Sequence, residues 1–489
     1  MFRPAWYFGG SYTAVIPPNL GIQNMQPTSF IAGGLGWQAL AAAVCGGCAA
    51  AAFEPVGCWP AMLVGMAGWM MLLDGKSVSH ARNLGLCYGA VFALGTMHWF
   101  FNLFGMLAIS LMALMALYHW LLGGMIGMLG PLPPVKKAAL AALFAVGVEW
   151  LRGDAWYLRF PWYTPPHALA AQPEWIAAAR WLGVYGLSGL IWFTIACGAW
   201  QTTWCRRSCV WSSLALLPAA SLMLPAVDAP QRVALLVQGE GTFDVERVIA
   251  RLPTQKADVA ITPEFSYSKD YSLALESASG PRLLMQKTQA LTVFGAMRML
   301  AKKRFENVAV VLAPGQHDPL GWYVKHRPVP LFLDGLPGTL TPVFPFPDGQ
   351  GTLGVGICYD FDAPAVAAEL VANGATVLAA PTGDMVHWGE LQHQHHGQLA
   401  RLRAVECDRW LLRAVSSGRT EVINPAGHPS QAGLPFPTPG SLLLPFDHLT
   451  TRPPGIRLHW LGPASFATSF TLLLLMAIYS KRRGNRFKS

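Results

Sequence analysis

The chain has 489 residues, of which 53% are hydrophobic and only 12% are charged. Soluble domains carry about 25% charged residues, so this composition excludes a wholly soluble protein. The net charge of +9 does not indicate a nucleic-acid partner. Much of that excess lies in short loops beside apolar segments, where membrane topology accounts for it.

The apolar residues are concentrated in segments near the roughly 20 residues that a helix needs to cross a bilayer. Residues 1–30 are polar and rich in proline and glycine, which predicts an N-terminal tail. About eight spans are predicted after it, at residues 31–52, 59–73, 84–102, 104–130, 135–151, 177–204, 209–227 and 461–479. We therefore expect a transmembrane domain of about seven spans at 31–230, a large domain at 231–455, and a last span with a basic tail at 456–489.

Basic residues follow alternate spans, which is the pattern that the positive-inside rule predicts for cytoplasmic loops. They are Lys76, Arg82, Lys136, Lys137, Arg206, Arg207, Lys481, Arg482, Arg483, Arg486 and Lys488. If both ends of the chain are cytoplasmic, all of these residues lie inside, and the outer loops carry only Arg152, Arg159 and Arg180. The same count predicts that residues 231–452 lie outside the cytoplasm.

The domain at 231–455 alternates short apolar segments with helical patterns. Strands are predicted at residues 233–237, 259–262, 291–295, 308–312, 352–357, 376–380, 410–415 and 421–424. A helix is predicted at about 392–407, and residues 425–455 form a proline- and glycine-rich return to the membrane. Apolar strands interleaved with helices are typical of a layered α/β domain.

The strand predicted at 352–357 ends in Cys358, followed at once by an aromatic residue and a carboxylate. Such a strand presents its thiol at a turn, which is where α/β folds usually place their chemistry. A nucleophilic thiol needs a base and a cation for the developing oxyanion, and Glu264 and Lys325 supply both upstream. The alternative interpretation is that Cys358 is a small buried hydrophobic residue.

Three motifs in this domain resemble the nitrilase, or carbon–nitrogen hydrolase, superfamily. Glu264 follows a proline at a strand end, Lys325 precedes a basic, proline-rich stretch, and Cys358-Tyr359 follows a Gly-Ile strand. The resemblance implies an α/β nitrilase-like α-β-β-α sandwich domain with a Glu-Lys-Cys triad.

The membrane part resembles the apolipoprotein N-acyltransferase family. The motifs are Glu-Trp-Leu-Arg-Gly at 149–153, Phe-Pro-Trp at 160–162 and Gly-Val-Tyr-Gly-Leu-Ser at 183–188. The resemblance implies a polytopic α-helical membrane domain of about eight spans in the bacterial inner membrane, with a periplasmic catalytic domain and a cytoplasmic C-terminus. From the residues alone, the loop after 149–153 either anchors at the bilayer interface or packs under the soluble domain.

The family resemblance implies an acyl transfer that suits these side chains. Glu264 would be the general base, and the Cys358 thiolate would take an acyl chain from a phospholipid as a thioester. Lys325, with a backbone N–H near Tyr359, would stabilise the oxyanions. The acceptor would be the N-terminal amine of a diacylglyceryl-cysteine lipoprotein, and the resemblance implies no metal and no organic cofactor.

The chain departs from the family at two supporting positions. The glutamate that supports the family's lysine corresponds here, after a one-residue shift, to Asp334. The carboxylate after Cys358-Tyr359 is Asp360, which is shorter than the usual glutamate. Trp388 lies in a loop that either meets acyl chains or packs against the domain. These departures leave open a paralogous membrane nitrilase-like protein with a different acyl or amide substrate, and also a scaffold without activity.

The histidines of the predicted helix invite a metal interpretation. His393, His395 and His396 lack a companion cluster of ligands, so we expect them to be solvated or to cap the helix. Further along the same helix, Glu406 is expected to pair with Arg403 at a spacing of three residues.

Overall fold

The computed structural model describes residues 35–224, 229–301, 304–430 and 433–486. The tail predicted at 1–30 lies outside the described residues. The first part of the chain is helical, with α1 (Leu35–Ala50), α2 (Pro60–Leu73), α3 (Val78–Met97), α4 (Phe100–Phe104), α5 (Leu107–Gly127), α6 (Pro134–Gly153), α7 (Pro165–Leu169), α8 (Pro173–Ile176), α9 (Ala179–Ala199) and α10 (Trp204–Ser212).

Helices α3 and α5 pack closely because glycines line their contact. A Cβ on Gly85 would stand 2.3 Å from the carbonyl oxygen of His119, and one on Gly123 would stand 2.4 Å from that of Ala81. A larger side chain at either position would push the helices apart. Small residues bring helices together in this way in a bilayer, where no hydrophobic effect acts between them.

Three helical segments of the described chain are long and apolar enough to cross a membrane. They are Leu107–Gly127, Ala179–Ala199 and Gly455–Ile478. Two apolar helices, Gly36–Ala50 and Pro60–Leu73, are shorter. The chain therefore carries helices suited to a membrane, and the count of eight spans stays a prediction.

The span predicted at 209–227 is not a continuous α-helix in the described residues. The prediction of one helix over this segment is therefore wrong. Helix α10 ends at Ser212, and two short 3-10 turns follow at Ser213–Leu216 and Pro218–Met223. Pro218 has no backbone N–H to donate, and adjacent serines compete for backbone hydrogen bonds. The local sequence therefore breaks the helix although its composition is apolar.

The second part of the chain contains two β-sheets flanked by helices. The strands are β1 (Arg232–Gln238), β2 (Val259–Ile261), β3 (Tyr267–Asp270), β4 (Leu291–Met299), β5 (Phe305–Leu312), β6 (Gly321–Val324), β7 (Val343–Pro345), β8 (Thr352–Val355), β9 (Val377–Thr382), β10 (Leu411–Val415), β11 (Glu421–Ile423) and β12 (Gly440–Phe446). The helices are α11 (Gly241–Arg251), α12 (Tyr271–Glu276), α13 (Pro281–Thr288), α14 (Pro364–Ala372), α15 (Glu390–Cys407) and α16 (Leu461–Arg486). One sheet has the order β12-β1-β2-β4-β5-β6 with β3 beside β4, and the other has the order β11-β10-β9-β8-β7.

The alternation of side chains along β1 produces the layers of this domain. Ala234 and Leu236 belong to the core that the two sheets share, whereas Leu235 and Val237 pack with Val245 of α11 on the outer face. Successive residues of a strand point to opposite faces, so one apolar strand serves both cores. Helices α14 and α15 contact the second sheet. The domain is therefore an α-β-β-α sandwich, as predicted.

The loop after α6 packs under this sandwich, which decides between the two interpretations of its motifs. The indole Nε1 of Trp162 donates to Asp362 at 2.5 Å, and the Arg327 guanidinium pairs with Asp154 at 2.5 Å. Both pairs join a residue of the helical part to a residue of the sandwich. The helical part and the sandwich therefore share an interface with buried polar contacts.

The histidines of α15 are buried, so the expectation that they are solvated or capping is wrong. His393, His395 and His396 are at most 5% exposed. The reason is tertiary, because α15 lies against α7 and α9 of the helical part as well as against the second sheet. The expected pair between Arg403 and Glu406 is confirmed, and both side chains are buried.

Candidate active site

Cys358 lies on the wall of a cavity between the sandwich and the membrane helices. The cavity has about 880 Å³ of unfilled space, part of it open to solvent. The helical part contributes apolar lining from α4 and α5, namely Leu103, Phe104, Leu111, Leu114 and Met115. The cavity therefore connects the thiol with the apolar surface of the membrane part, and its lining suits a hydrocarbon chain.

Glu264 is fixed just beyond the end of β2. Its side chain is buried, and its Oε2 accepts a hydrogen bond from the backbone N–H of Gly383 at 2.9 Å. The turn that carries it approaches β4 so closely that a Cβ on Gly295 would stand 2.3 Å from the carbonyl oxygen of Pro263. Glycine at this point lets the carboxylate reach the space between the two sheets.

Lys325 follows β6 and lies between two carboxylates. Its Nζ donates to Glu264 Oε1 at 2.7 Å and to Asp334 Oδ2 at 2.6 Å, and all three side chains are at most 5% exposed. An ammonium has three donors, so one remains for a third partner. Asp334 thus contacts the lysine as the one-residue shift in the sequence anticipated.

Asn307 joins the two carboxylates from the far side and was missed in the sequence. Its Nδ2 donates to Glu264 Oε1 and to Asp334 Oδ1, each at 2.7 Å. It lies on β5, where the residues that follow it, Val308 to Leu312, are apolar and buried. An amide directly before such an apolar run is a signal that sequence analysis could have used, because buried polar groups are normally hydrogen-bonded.

The charges of this cluster hold Lys325 as a cation and make Glu264 a stronger base than a free carboxylate. Burial lowers the pKa of Lys325, but the carboxylates of Asp334 and Glu264 outweigh it and hold that pKa well above its usual range. Burial raises the pKa of Glu264, and the charge of Lys325 limits the rise. The arrangement supplies a fixed positive charge beside a carboxylate that can accept a proton.

Cys358 occupies a left-handed backbone conformation directly after β8. Its φ is +50°, and its side chain is only 6% exposed. Left-handed φ values in residues other than glycine are sparsely populated and cluster at functional sites. Burial, followed by the charge of Glu264, raises the pKa of the thiol well above its usual range. The thiol therefore stays protonated until a base removes its proton.

Asp360 holds the turn that carries Cys358. Its Oδ2 accepts from the backbone N–H of Ile357 at 2.9 Å and from the hydroxyl of Tyr323 at 2.8 Å, and its Oδ1 accepts from the backbone N–H of Arg327 at 2.8 Å. These bonds connect the cysteine turn with the segment that follows Lys325. Asp360 is fully buried, and its role is to fix the backbone of the turn that carries Cys358.

Tyr359 and Trp388, the other two residues predicted to support the site or bind substrate, line the cavity. Tyr359 donates its hydroxyl to the carbonyl oxygen of Arg159 at 2.5 Å, which ties the residue after the nucleophile to the membrane part. Trp388 lines the cavity with its ring centroid 5.7 Å from that of Phe332. Both aromatic residues are positioned to shape access to Cys358.

A second charged cluster, centred on His396, borders the same cavity and was missed in the sequence. His396 pairs with Asp384 at 2.7 Å and with Asp362 at 3.1 Å, and Arg413 pairs with Asp384 at 2.6 Å. Burial lowers the pKa of His396, but the two aspartates outweigh it and raise that pKa to about 9. His396 is therefore an imidazolium near neutral pH and forms part of the interface with Trp162, whose ring stacks on it at 5.5 Å.

Within the described residues, no group of three or more histidine, cysteine, aspartate or glutamate side chains could hold a metal ion.

Two family models match this chain in sequence. Residues 45–197 match the apolipoprotein N-acyltransferase N-terminal domain, and residues 234–432 match the carbon–nitrogen hydrolase domain. Together the matched residues cover well over half of the chain, and they include Glu264, Lys325 and Cys358. The first match corresponds to the helical part of the structure, and the second corresponds to the sandwich.

Several curated relatives are apolipoprotein N-acyltransferases. The protein from Ralstonia nicotianae is 28% identical over 378 residues, which is 68% of this chain and 70% of that protein. The protein from Gloeobacter violaceus is 26% identical over 327 residues, or 58% of this chain and 61% of its own length. The protein from Synechocystis sp. is 27% identical over 196 residues, or 36% of this chain and 37% of its own length.

Solved structures of the nitrilase superfamily resemble the sandwich. An amidase from Nesterenkonia sp. is 21% identical over 48% of this chain and 98% of its own, with a TM-score of 0.35. A nitrilase-superfamily member from Saccharomyces cerevisiae is 18% identical over 48% of this chain and 95% of its own, with a TM-score of 0.36. From the two family matches and the curated relatives, we conclude that the chain belongs to the apolipoprotein N-acyltransferase family, in the nitrilase superfamily.

Proposed function

We propose that this enzyme transfers a fatty acyl chain from a phospholipid to the N-terminal amine of a diacylglyceryl-cysteine lipoprotein. The observation that carries the proposal is the position of Cys358 on the wall of an apolar cavity that reaches α4 and α5, with the paired charges of Glu264 and Lys325 near enough to act on its thiol. A nitrilase-type site that acts on lipids needs this connection between its thiol and the membrane part.

In the first half-reaction, Glu264 takes the proton of the Cys358 thiol as the sulfur attacks the ester carbonyl of the phospholipid. The C–S bond forms, and the carbonyl oxygen becomes an oxyanion. When the C–O bond breaks, the proton on Glu264 passes to the departing alkoxide, so that a lysophospholipid leaves and a thioester remains on Cys358.

In the second half-reaction, the amine of the lipoprotein attacks the thioester. Glu264 accepts a proton from the attacking nitrogen, the C–N bond forms, and the C–S bond breaks to release the Cys358 thiolate. The thiolate recovers the proton from Glu264, so the enzyme returns to its first state and the product is an amide. Neither half-reaction calls for a metal or an organic cofactor.

The oxyanion of both half-reactions is stabilised by Lys325. Two of its donors are bound to Glu264 and Asp334, and the third is available to the substrate oxygen. A cation held by two carboxylates costs no reorganisation during the reaction, which is the basis of electrostatic catalysis. The backbone N–H near Tyr359 is the second donor in this proposal, and Trp388 borders the acyl chain.

We also propose that the catalytic domain, residues 231–455, faces the periplasm and that the C-terminus is cytoplasmic. The basic loops support this orientation, because they fall on one side when both ends of the chain do. A topology reporter fused after Ser489 tests it: activity typical of the cytoplasm is expected, and a periplasmic signal would contradict the proposed orientation.

The transfer itself is tested with the purified protein in phospholipid nanodiscs and a synthetic diacylated lipopeptide. Mass spectrometry is expected to detect a third acyl chain on the peptide amine, and none with Cys358→Ala. An acyl adduct on the enzyme without transfer to the peptide would favour the paralogous protein with another acceptor. Neither the matched families nor the relatives favour that alternative.

A further inference from the structure

Arg159 lies on the cavity wall next to the nucleophile. It lines the cavity together with Cys358 and Tyr359, and its carbonyl oxygen accepts the hydroxyl of Tyr359. This bond fixes the backbone of Arg159 to the residue that follows the nucleophile. The fold therefore holds Arg159 on the wall of the same cavity as the reacting thiol.

The guanidinium of Arg159 is poorly paired for a side chain that is half-buried. Its Nη2 makes a long bond of 3.4 Å to the carbonyl oxygen of Pro328, and its Nε is buried without a hydrogen-bond partner. Among the described residues, no carboxylate lies within ion-pair distance of it. Burial and the neighbouring Arg327 lower the pKa of Arg159 from its usual range, although arginine remains charged in proteins.

Asp154, a carboxylate whose charge acts on Arg159, is already occupied. Asp154 pairs with Arg327 at 2.5 Å through one oxygen and accepts the hydroxyl of Tyr185 at 2.5 Å through the other. Arg152, by contrast, is bound by the protein, because it donates to the carbonyl oxygens of Phe160 and Trp162 at 2.7 and 2.6 Å. Arg159 therefore has neither the carboxylate partner of Arg327 nor the short hydrogen bonds of Arg152.

A cation without a carboxylate partner on the wall of a mostly apolar cavity indicates an amphiphilic ligand with an anionic group. The guanidinium fork matches the oxygens of a phosphate, which arginine binds with two parallel hydrogen bonds. The apolar lining on α4 and α5 suits the chain of the same ligand. We propose that Arg159 binds the phosphodiester of the phospholipid acyl donor and thereby sets the position of its ester at Cys358.

This assignment rests on the proposed function, and it adds a preference among donors. A phosphodiester donor gains charge-assisted hydrogen bonds that an uncharged acyl ester lacks. Removing the guanidinium should therefore slow acylation of Cys358 by a phospholipid and spare acylation by a donor without phosphate. Arg159→Gln removes the charge, Arg159→Lys keeps it, and Arg247→Gln on the exposed face of α11 is a control far from the cavity.

The test measures single-turnover acylation of Cys358 in detergent by intact-protein mass spectrometry, with phosphatidylglycerol and with 4-nitrophenyl palmitate. Arg159→Gln is expected to lose about 10- to 100-fold with phosphatidylglycerol, the range of charge-assisted hydrogen bonds, and to match the parent with the nitrophenyl ester. Arg159→Lys is expected to retain most of the rate with both donors, as is Arg247→Gln. The melting temperature of each variant shows that it is folded.

Two results would overturn the role of Arg159 alone: an equal loss with both donors, or no loss with phosphatidylglycerol. Inorganic phosphate separates a lipid site from a site for a soluble anion. If it inhibited the parent equally with both donors, Arg159 would hold a free anion and not the donor headgroup. If the parent enzyme formed no adduct with either donor, the proposed function itself would fail, and this role would fail with it.

Discussion

Asp334→Asn is a severe test of the buried cluster around Lys325, because asparagine has the same shape but one oxygen and no charge. Asp334 accepts three hydrogen bonds: Oδ2 accepts from Lys325 and from the backbone of Val329, and Oδ1 accepts from Asn307, at 2.6 to 2.7 Å. In either orientation of an asparagine, its NH₂ group would face at least one of these donors. The substitution therefore cannot be accommodated by a simple flip.

The expected loss can be estimated from these contacts. A hydrogen bond to a charged group contributes about 1.5–3 kcal/mol, and breaking a fully buried ion pair costs about 3–5 kcal/mol. Lys325 keeps Glu264 as a partner, so we expect a loss of about 2–3 kcal/mol in unfolding free energy. The charge of Asp334 also raises the pKa of Glu264, so its removal makes Glu264 a weaker base. Acylation of Cys358 should fall about 10- to 100-fold, at 1.4 kcal/mol for each factor of ten.

The assay combines a thermal melt in detergent with single-turnover acylation followed by mass spectrometry. Asp318→Asn is a matched control, because the same substitution is made at a side chain that is 93% exposed and whose charge is therefore screened by solvent. We expect the control to behave as the parent in both measurements. An Asp334→Asn variant with the stability and the acylation rate of the parent would refute the role of this carboxylate in holding Lys325.

Two further predictions concern pH. Burial raises the pKa of Glu264, so the acylation rate should fall as pH drops through a value above the usual 4.5, and a single-turnover pH profile without an acid limb above that value would contradict its role as base. Burial lowers the pKa of His396, but Asp384 and Asp362 outweigh it and raise that pKa from 6.5 to about 9. The ion pairs of the protonated imidazole should therefore stabilise the folded state by about 3 kcal/mol below pH 6.5. That contribution is lost as pH rises through 9, so the melting temperature of the parent should decline over this window more steeply than that of His396→Gln, and parallel curves would exclude the ion pairs as its cause.

The features that could be predicted from the sequence are those that depend on local pattern. The short apolar runs at 233–237 and before Cys358 are typical of buried strands, and the structure has strands at both places. Asp334 was considered as a partner of Lys325 because it corresponds, after a one-residue shift, to the glutamate that supports the lysine in the family, and the structure pairs the two side chains. Motif order then brought the more distant Glu264 into the same hypothesis.

The features that were missed depend on contacts between distant parts of the chain. In the sequence, His396 is a polar residue near the start of a helix, and its burial depends on distant residues that pack against it, among them Trp162 and Asp362. Asn307 bridges carboxylates that are 43 and 27 residues away in sequence, which no periodicity contains. The broken helix after Ser212 has a local cause, because composition averaged over the segment hid the effect of its serines and proline.

The central claim is that a phospholipid acylates Cys358 and no other residue. Intact-protein mass spectrometry of the parent enzyme incubated with phospholipid, without any acceptor, tests it most directly. The account predicts the added mass of one acyl chain, its location on Cys358 after proteolysis, its removal by hydroxylamine, and its absence in Cys358→Ala. An acyl chain on another residue, or transfer to a lipopeptide by Cys358→Ala, would contradict it.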